Sequence, residues 1–289
     1  MRKFFISFIL ASVFLYSYAQ EESPKDTTWK TGGLGSLTFS QVSLYQWSAG
    51  GEPSLSGAAI LNLFANYAKA DVTWENTLDL GYGLIKQGDI TKKSNDRIEF
   101  TSQYSHKASE KWNYSGLINF RSQFARGYNY PNDSVRISNF MAPGYLTASV
   151  GMNYRPNEKF TLFLSPFAGK FTFVLDDSLS QQGQFGVDPG NKFRSEIGGY
   201  IRVGYKTDIM TNVNFSTKVD LFSNYLENPQ NIDINWELML AMKINDYLSA
   251  TINLIALYDD DINVPREDKE PGPGWQLKEV FGLGLSYEF

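Results

Sequence analysis

Few residues in this chain have the chemistry for catalysis. His106 is the only histidine and there is no cysteine, so no thiolate or imidazole set can build a zinc site. His106 is also the only side chain whose ordinary pKa suits a general base near neutrality. Asp259-Asp260-Asp261-Ile262-Asn263 offers hard oxygens to a cation such as Ca²⁺, but without the spacing and glycine of an EF-hand loop. A solvated acidic loop is the plainer expectation there. No glycine-rich phosphate loop opening a helix is found. We therefore expect no catalytic, cofactor-binding or metal-binding residue.

The larger ionisable set is spread along the chain and carries both signs. Glu75, Asp79, Glu99, Glu196, Asp220, Asp233 and Glu237 stand against Arg97, Arg121, Arg194, Arg202, Lys206, Lys218, Lys243 and Lys278. Each occupies one face of a segment in which apolar and polar residues alternate. In 193–206, Phe193, Ile197, Ile201, Val203 and Tyr205 share one face and Arg194, Glu196, Tyr200, Arg202 and Lys206 the other. In 231–243, Ile232, Ile234, Trp236, Leu238, Leu240 and Met242 oppose Asp233, Asn235, Glu237 and Lys243. Period two means strands. A soluble strand averages about 5–6 residues. These patterns run more than twice as far, enough to cross a bilayer at a tilt.

Twelve such strands are predicted, at 34–48, 54–68, 70–86, 96–107, 111–126, 142–155, 159–174, 192–206, 210–226, 231–244, 247–259 and 275–289. Tight turns at Lys69-Ala70, Ala108–Glu110, Pro156–Glu158, Thr207–Ile209 and Asn245-Asp246 alternate with longer links at 49–53, 87–95, 127–141, 175–191, 227–230 and 260–274. An even strand number with short turns at one end and long loops at the other is the pattern of an all-β, transmembrane antiparallel β-barrel of 12 strands. Aromatic residues near strand ends make two girdles. Tyr67, Trp74, Trp112, Tyr154, Tyr205, Tyr247 and Tyr287 lie towards the short turns, and Trp47, Tyr82, Tyr128, Tyr145, Tyr225 and Trp275 towards the loops.

The ends of the chain agree with this. Residues 1–19 pair Arg2 and Lys3 with an apolar stretch from Phe4 to Tyr16 and the small Ala19, as a secretory signal peptide does. Residues 20–33 read as a periplasmic N-terminal tail and 34–289 as the outer-membrane barrel. The last strand ends Phe281, Leu283, Leu285, Tyr287, Phe289 at alternate positions, resembling the terminal signal read by the barrel-assembly machinery. Removing Arg2 and Lys3 takes the formal charge from −5 to about −7, which argues against nucleic acid.

Gln46–Glu52, Leu80–Gly83, Gln123–Tyr128, Ile137–Pro143 and Ser165-Pro166 are recognisable phrases spread over most of the mature chain. Together they resemble an uncharacterised family of outer-membrane β-barrels from the Bacteroidota, a domain of unknown function, with Gln46 where the family's motif has Asn. The resemblance implies a fold and a compartment but assigns no residue a role. The phrases fall mostly at the extracellular rim, where Trp47, Gly50, Gly51, Tyr128, Asn139 and Pro143 either hold the turns or bind a ligand or partner.

The expected function is an outer-membrane, porin-like barrel with both termini periplasmic and no cofactor. It contacts outer-membrane lipid and lipopolysaccharide, and the barrel-assembly machinery during biogenesis. The lumen residues Glu75, Asp79, Arg97, Glu99, Arg121, Arg194, Glu196, Arg202, Lys218, Asp220, Asp233 and Glu237 either line a narrow channel for small solutes or pair across a filled interior. In the second case the barrel is a non-conducting structural or assembly partner in an outer-membrane complex. A lipid-acting barrel enzyme is a distant third, because His106 precedes a periplasmic turn, the wrong end for the external leaflet.

Overall fold

The computed structural model describes residues 28–43, 52–266 and 269–289. The signal-peptide reading and rim residues Trp47, Gly50 and Gly51 lie outside them. In chain order the strands are β1 Trp29–Val42, β2 Ser54–Lys69, β3 Val72–Gln87, β4 Ile90–Lys107, β5 Trp112–Ser122, β6 Gly127–Asn129, β7 Asn132–Ser138, β8 Gly144–Tyr154, β9 Phe160–Phe173, β10 Phe193–Met210, β11 Val213–Asn224, β12 Ile232–Lys243, β13 Leu248–Tyr258, β14 Asn263–Arg266, β15 Lys269–Pro273 and β16 Gln276–Glu288. Twelve of them close into one antiparallel barrel in the ring order β1-β16-β13-β12-β11-β10-β9-β8-β5-β4-β3-β2. Closure removes the sheet edges that an open sheet would expose.

The remaining four strands form two hairpins inside loops, β6/β7 and β14/β15. They decorate one end of the barrel, the loop end. β1 begins and β16 finishes at the other, the turn end.

The alternation predicted for β10 holds in space. Ile197 and Ile201 face outward while Glu196, Tyr200 and Arg202 are buried inside. Outward residues elsewhere are equally bare, with Phe39 and Phe167 each 68% exposed. At the turn end Trp29 packs at a tilt against Tyr67 and Trp74, and Trp112 against Tyr154. One girdle residue departs from expectation. Tyr145 pairs with Arg121 across β5 and β8 and turns inward, its ring 5.6 Å from the guanidinium.

Several boundaries differ from the sequence reading, β5 for one ending at Ser122 rather than 126, and three of them have a clear physical reason. β1 starts at Trp29 rather than residue 34, so residues 29–33 belong to the wall and not to a tail. Trp29 pairs with Tyr67, and Gly32-Gly33, having no side chains, had hidden the alternation. The link at 87–95 is a continuation of β3 and β4, which meet at Gln87↔Ile90 around Gly88, whose φ is 57°. Polar Thr91, Lys92 and Lys93 masked that strand. Thr207–Ile209 is still β10, and the chain reverses at Thr211-Asn212, where Asn212 takes a φ of 78° that asparagine tolerates better than a β-branched residue.

The loop between β9 and β10 folds into a small cap. It contains helix α1, Asp177–Gln181, and its Val174, Leu179 and Val187 pack with Ala142 into a buried cluster. Asp176 caps α1, accepting from the backbone N–H of Ser178 and Leu179, and also accepts from Asn139 at 2.9 Å and from Arg136 of β7. Burial pushes the Asp176 carboxyl up, but hydrogen bonds from Asn139, Arg136 and Leu179 outweigh that and hold it below its ordinary value. A carboxylate with a depressed folded pKa stabilises above its unfolded value of about 3.9 and loses that stabilisation as pH falls through the folded one. Hydrogen exchange in 174–192, corrected for intrinsic rates, should therefore be slow at neutral pH and accelerate at strongly acid pH. Asp176→Ala should show fast exchange at both, at a cost of about 0.5–2 kcal/mol. A cap equally protected in the variant would remove Asp176 from this role.

Candidate functional site

Among the described residues, charged side chains converge most densely in the lumen. A buried cluster of Leu117, Phe163, Ala168, Tyr200 and Phe222 lies along one wall, on β5, β9, β10 and β11. Beside it Arg202 donates to both oxygens of Asp220, at 2.6 and 3.0 Å, and the Tyr200 hydroxyl donates to the same carboxylate at 2.7 Å. The guanidinium fork and the hydroxyl together supply the Asp220 carboxylate with three donors, the kind of partnering that burial of an ion pair demands.

A second layer crosses the barrel. Arg97 on β4 donates to Glu99 on its own strand and to Glu237 on β12 at 2.7 Å. In the ring β12 lies six strands from β4, so that bond joins opposite walls. Lys218 on β11 also spans the lumen, with its ammonium 2.9 Å from Glu99 and 3.4 Å from Glu237. Glu99, only 2% exposed, accepts a further bond from Asn119 at 2.9 Å. Two cavities of about 260 Å³ each lie on either side of this bridge. Both are lined by Arg97, Glu237, Ile255 and Lys278.

Nearer the loops, Lys170 on β9 reaches Asp233 at 2.6 Å, Asp259 at 3.0 Å and Glu196 at 3.7 Å. Arg194 ties loops together, donating to Asp261 at 2.7 Å, Glu227 at 3.3 Å and the carbonyl of Gly186 at 3.0 Å. Of the remaining predicted lumen residues, Asp79 accepts from Asn62 at 2.7 Å and Glu75 from Arg155 at 2.9 Å. All twelve thus sit in or at the mouth of the interior, most in ion pairs. Lys170, Asn119 and Asp259 complete the network beyond the predicted set, and Tyr200 joins it from the face of β10 that the alternation shares with Arg194, Glu196 and Arg202.

The other candidates separate. The carboxylates of Asp259, Asp260 and Asp261 turn to Lys170, Asn231 and Arg194 respectively, so they do not converge. Among the described residues no group of three or more His, Asp or Glu could hold a metal. His106 is exposed at the turn end, its Nδ1 3.1 Å from the carbonyl of Lys107. At the rim, Gln123 donates to the carbonyls of Asn139 and Ala142, Ser122 to that of Pro143, and Asp96 accepts the backbone N–H of Phe124 and Ala125. Tyr128 packs edge-on against Tyr130. These contacts knit the rim phrases to one another.

Residues 39–128 match a family described as "Protein of unknown function (DUF3078)". That stretch covers β2 to β5 and with them Arg97 and Glu99 of the bridge. Among curated proteins none matches the chain. Three solved structures are similar over most of their length. An outer membrane channel from Pseudomonas putida F1 is 15% identical with a TM-score of 0.40, covering 93% of this chain and 99% of its own. The translocator domain of the autotransporter NalP from Neisseria meningitidis is 9% identical at 0.39, covering 92% and 90%. The NanC porin is 8% identical at 0.38, covering 88% and 98%. The fold itself stands on the strand pairing above.

Proposed function

We propose that this chain is an outer-membrane barrel closed along its axis by a charge-paired plug, and that it serves as a non-conducting structural or assembly partner rather than as a general diffusion pore. The wide outward apolar face supports the compartment, since it needs hydrocarbon around it, and a closed barrel is one of the two structures able to satisfy its backbone there. The observation that carries the closed lumen is the Arg97–Glu237 bond between opposite walls. A pore selective for one ion sign needs a wall dominated by the other sign. Here Arg97, Lys170, Arg194, Arg202 and Lys218 are each paired with carboxylates.

Conductance of the purified protein in planar bilayers tests this. We expect no channel steps above a mock-purified sample in any of several salts. Stable steps in the unaltered protein would sink the plug and return the chain to the second reading, a narrow channel for small solutes, for which the paired cavities flanking the bridge speak.

A further inference from the structure

The barrel wall is uneven in how well it is stitched. β1 pairs with β2 through fourteen residues and β13 with β16 through ten. β1 and β16 share only five pairs, Leu34↔Glu288 to Thr38↔Gly284, with Gly33 and Phe289 adding reciprocal backbone bonds of 2.9 and 3.0 Å at the turn end. Among the described residues, towards the loop end, Phe39–Val42 pair only with β2, and Gln276–Leu283 only with β13. An unpaired strand edge cannot face hydrocarbon without cost and is tolerated where it lines a wet cavity.

Such a cavity lies behind this junction. The turn-ward one is lined by Ile60 of β2 and by Lys278 and Val280 of β16, so it runs across the inner side of the gap in which β1 stands. Its wall is mixed in chemistry: Ile60, Ile255 and Val280 are apolar, while the Lys278 ammonium donates to Asn95 at 2.7 Å. Among the described residues no carboxylate lies within ion-pair distance of Lys278.

We propose that the loop-side half of the β1/β16 junction is a lateral opening through which a single-chain carboxylate amphiphile moves between lipid and lumen, its alkyl chain on the apolar wall and its head on Lys278. The inference rests on the reading of a membrane-embedded, axially plugged barrel. The opening has a closed alternative. Continuing the same register sets Gln41 against Phe281 and Phe39 against Leu283, in phase with Gly33 and Phe289, and adds about four hydrogen bonds. The junction thus has two arrangements and no need to break any other strand pair.

Because the chain has no cysteine, paired cysteines report on the gap directly. In vesicles, Ser36→Cys/Ser286→Cys, within the stitched half, should oxidise rapidly, and Val42→Cys/Val280→Cys, in the open half, slowly, since a disulfide needs Cα atoms within about 7 Å. Equal rates would overturn the opening. A benzophenone amino acid at Ile255, or at Leu257 if the first variant fails to fold, should crosslink alkyne-tagged palmitate in phosphatidylcholine vesicles. Oxidising the Val42/Val280 cysteine pair should reduce the adduct to background, and reduction should restore it. An adduct indifferent to the lock would sink the lateral route. Lys278→Met should weaken labelling by palmitate but not by the matching alcohol, and equal loss of both would remove the carboxylate from the proposal. Conductance run on the same preparation keeps the two ideas apart: channel steps together with lock-sensitive labelling would dismiss the plug and leave the opening.

Discussion

Truncating Glu99 and Glu237 together to alanine should turn a silent barrel into a conducting one and cost it stability. These two carboxylates hold Arg97 and Lys218 in place across the lumen. Without them two cations face each other in a confined space with Asp79, already bonded to Asn62, as the remaining carboxylate of that cavity wall, and they must swing towards it or towards water. Removing one partner of a buried pair costs about 3–5 kcal/mol, most of it the penalty of the charge left behind. Urea titration in detergent should show at least that loss, and planar bilayers should show steps absent from the parent. Replacing all four residues by leucine or methionine of similar volume is the control, because an apolar filling often matches or exceeds an ion-pair network in stability. That variant should be stable and silent. If the double alanine variant is also silent, the lumen is closed by something other than this bridge.

Lys170→Met should produce the second large effect, and its sign is that of an excess of negative charge. One ammonium serves Asp233, Asp259 and Glu196, so its removal leaves three carboxylates in close company, with Arg194 near Glu196 alone. Loss of about 3–5 kcal/mol is expected at neutral pH. The deficit should shrink as the pH is lowered and the crowded carboxylates take up protons, because like charges at short range disfavour ionisation. Asp233→Asn in the Lys170→Met background should recover part of the stability at neutral pH, since it removes one of the repelling groups. A Lys170→Met protein that unfolds at the parental urea midpoint, pH by pH, would show the cluster to be solvated and energetically idle.

Lys170 also marks where the sequence stops being readable. The two faces of β10 and β12 can be assigned by counting, and the carboxylates and guanidiniums placed inside by that count are inside. β9 breaks the count. Phe163 and Ser165 point into the lumen, and so do Ala168, Lys170 and Thr172, odd positions before the break and even positions after it. The register against β8 and β10 slips at this point, between Val150 and Met152 and between Gly198 and Tyr200. One extra residue on β9 exchanges its faces. The Ser165 Oγ lies 2.8 Å from the carbonyls of both Val150 and Phe167, which share its one proton, and Pro166 sits where the ladder needs no N–H. Ser165-Pro166 was visible as a phrase, and a proline inside a long alternating run is the available sign of a bulge. Its effect on Lys170 follows only once neighbouring strands supply the register. The unevenly stitched β1/β16 junction had no sequence sign at all, because it depends on pairing between the two ends of the barrel.

That junction also bears on how the chain folds. Ten of the twelve wall contacts link each barrel strand to the next through a turn or a loop, and β1/β2 is an eleventh of the same kind. The twelfth brings Gly33 to Phe289, separated by 289 minus 33, or 256, positions. Loop-closure entropy falls almost wholly on that contact. Refolding into detergent should therefore build strand signal early and gain its compact, heat-resistant migration in a later, slower phase set by the meeting of the first and last strands.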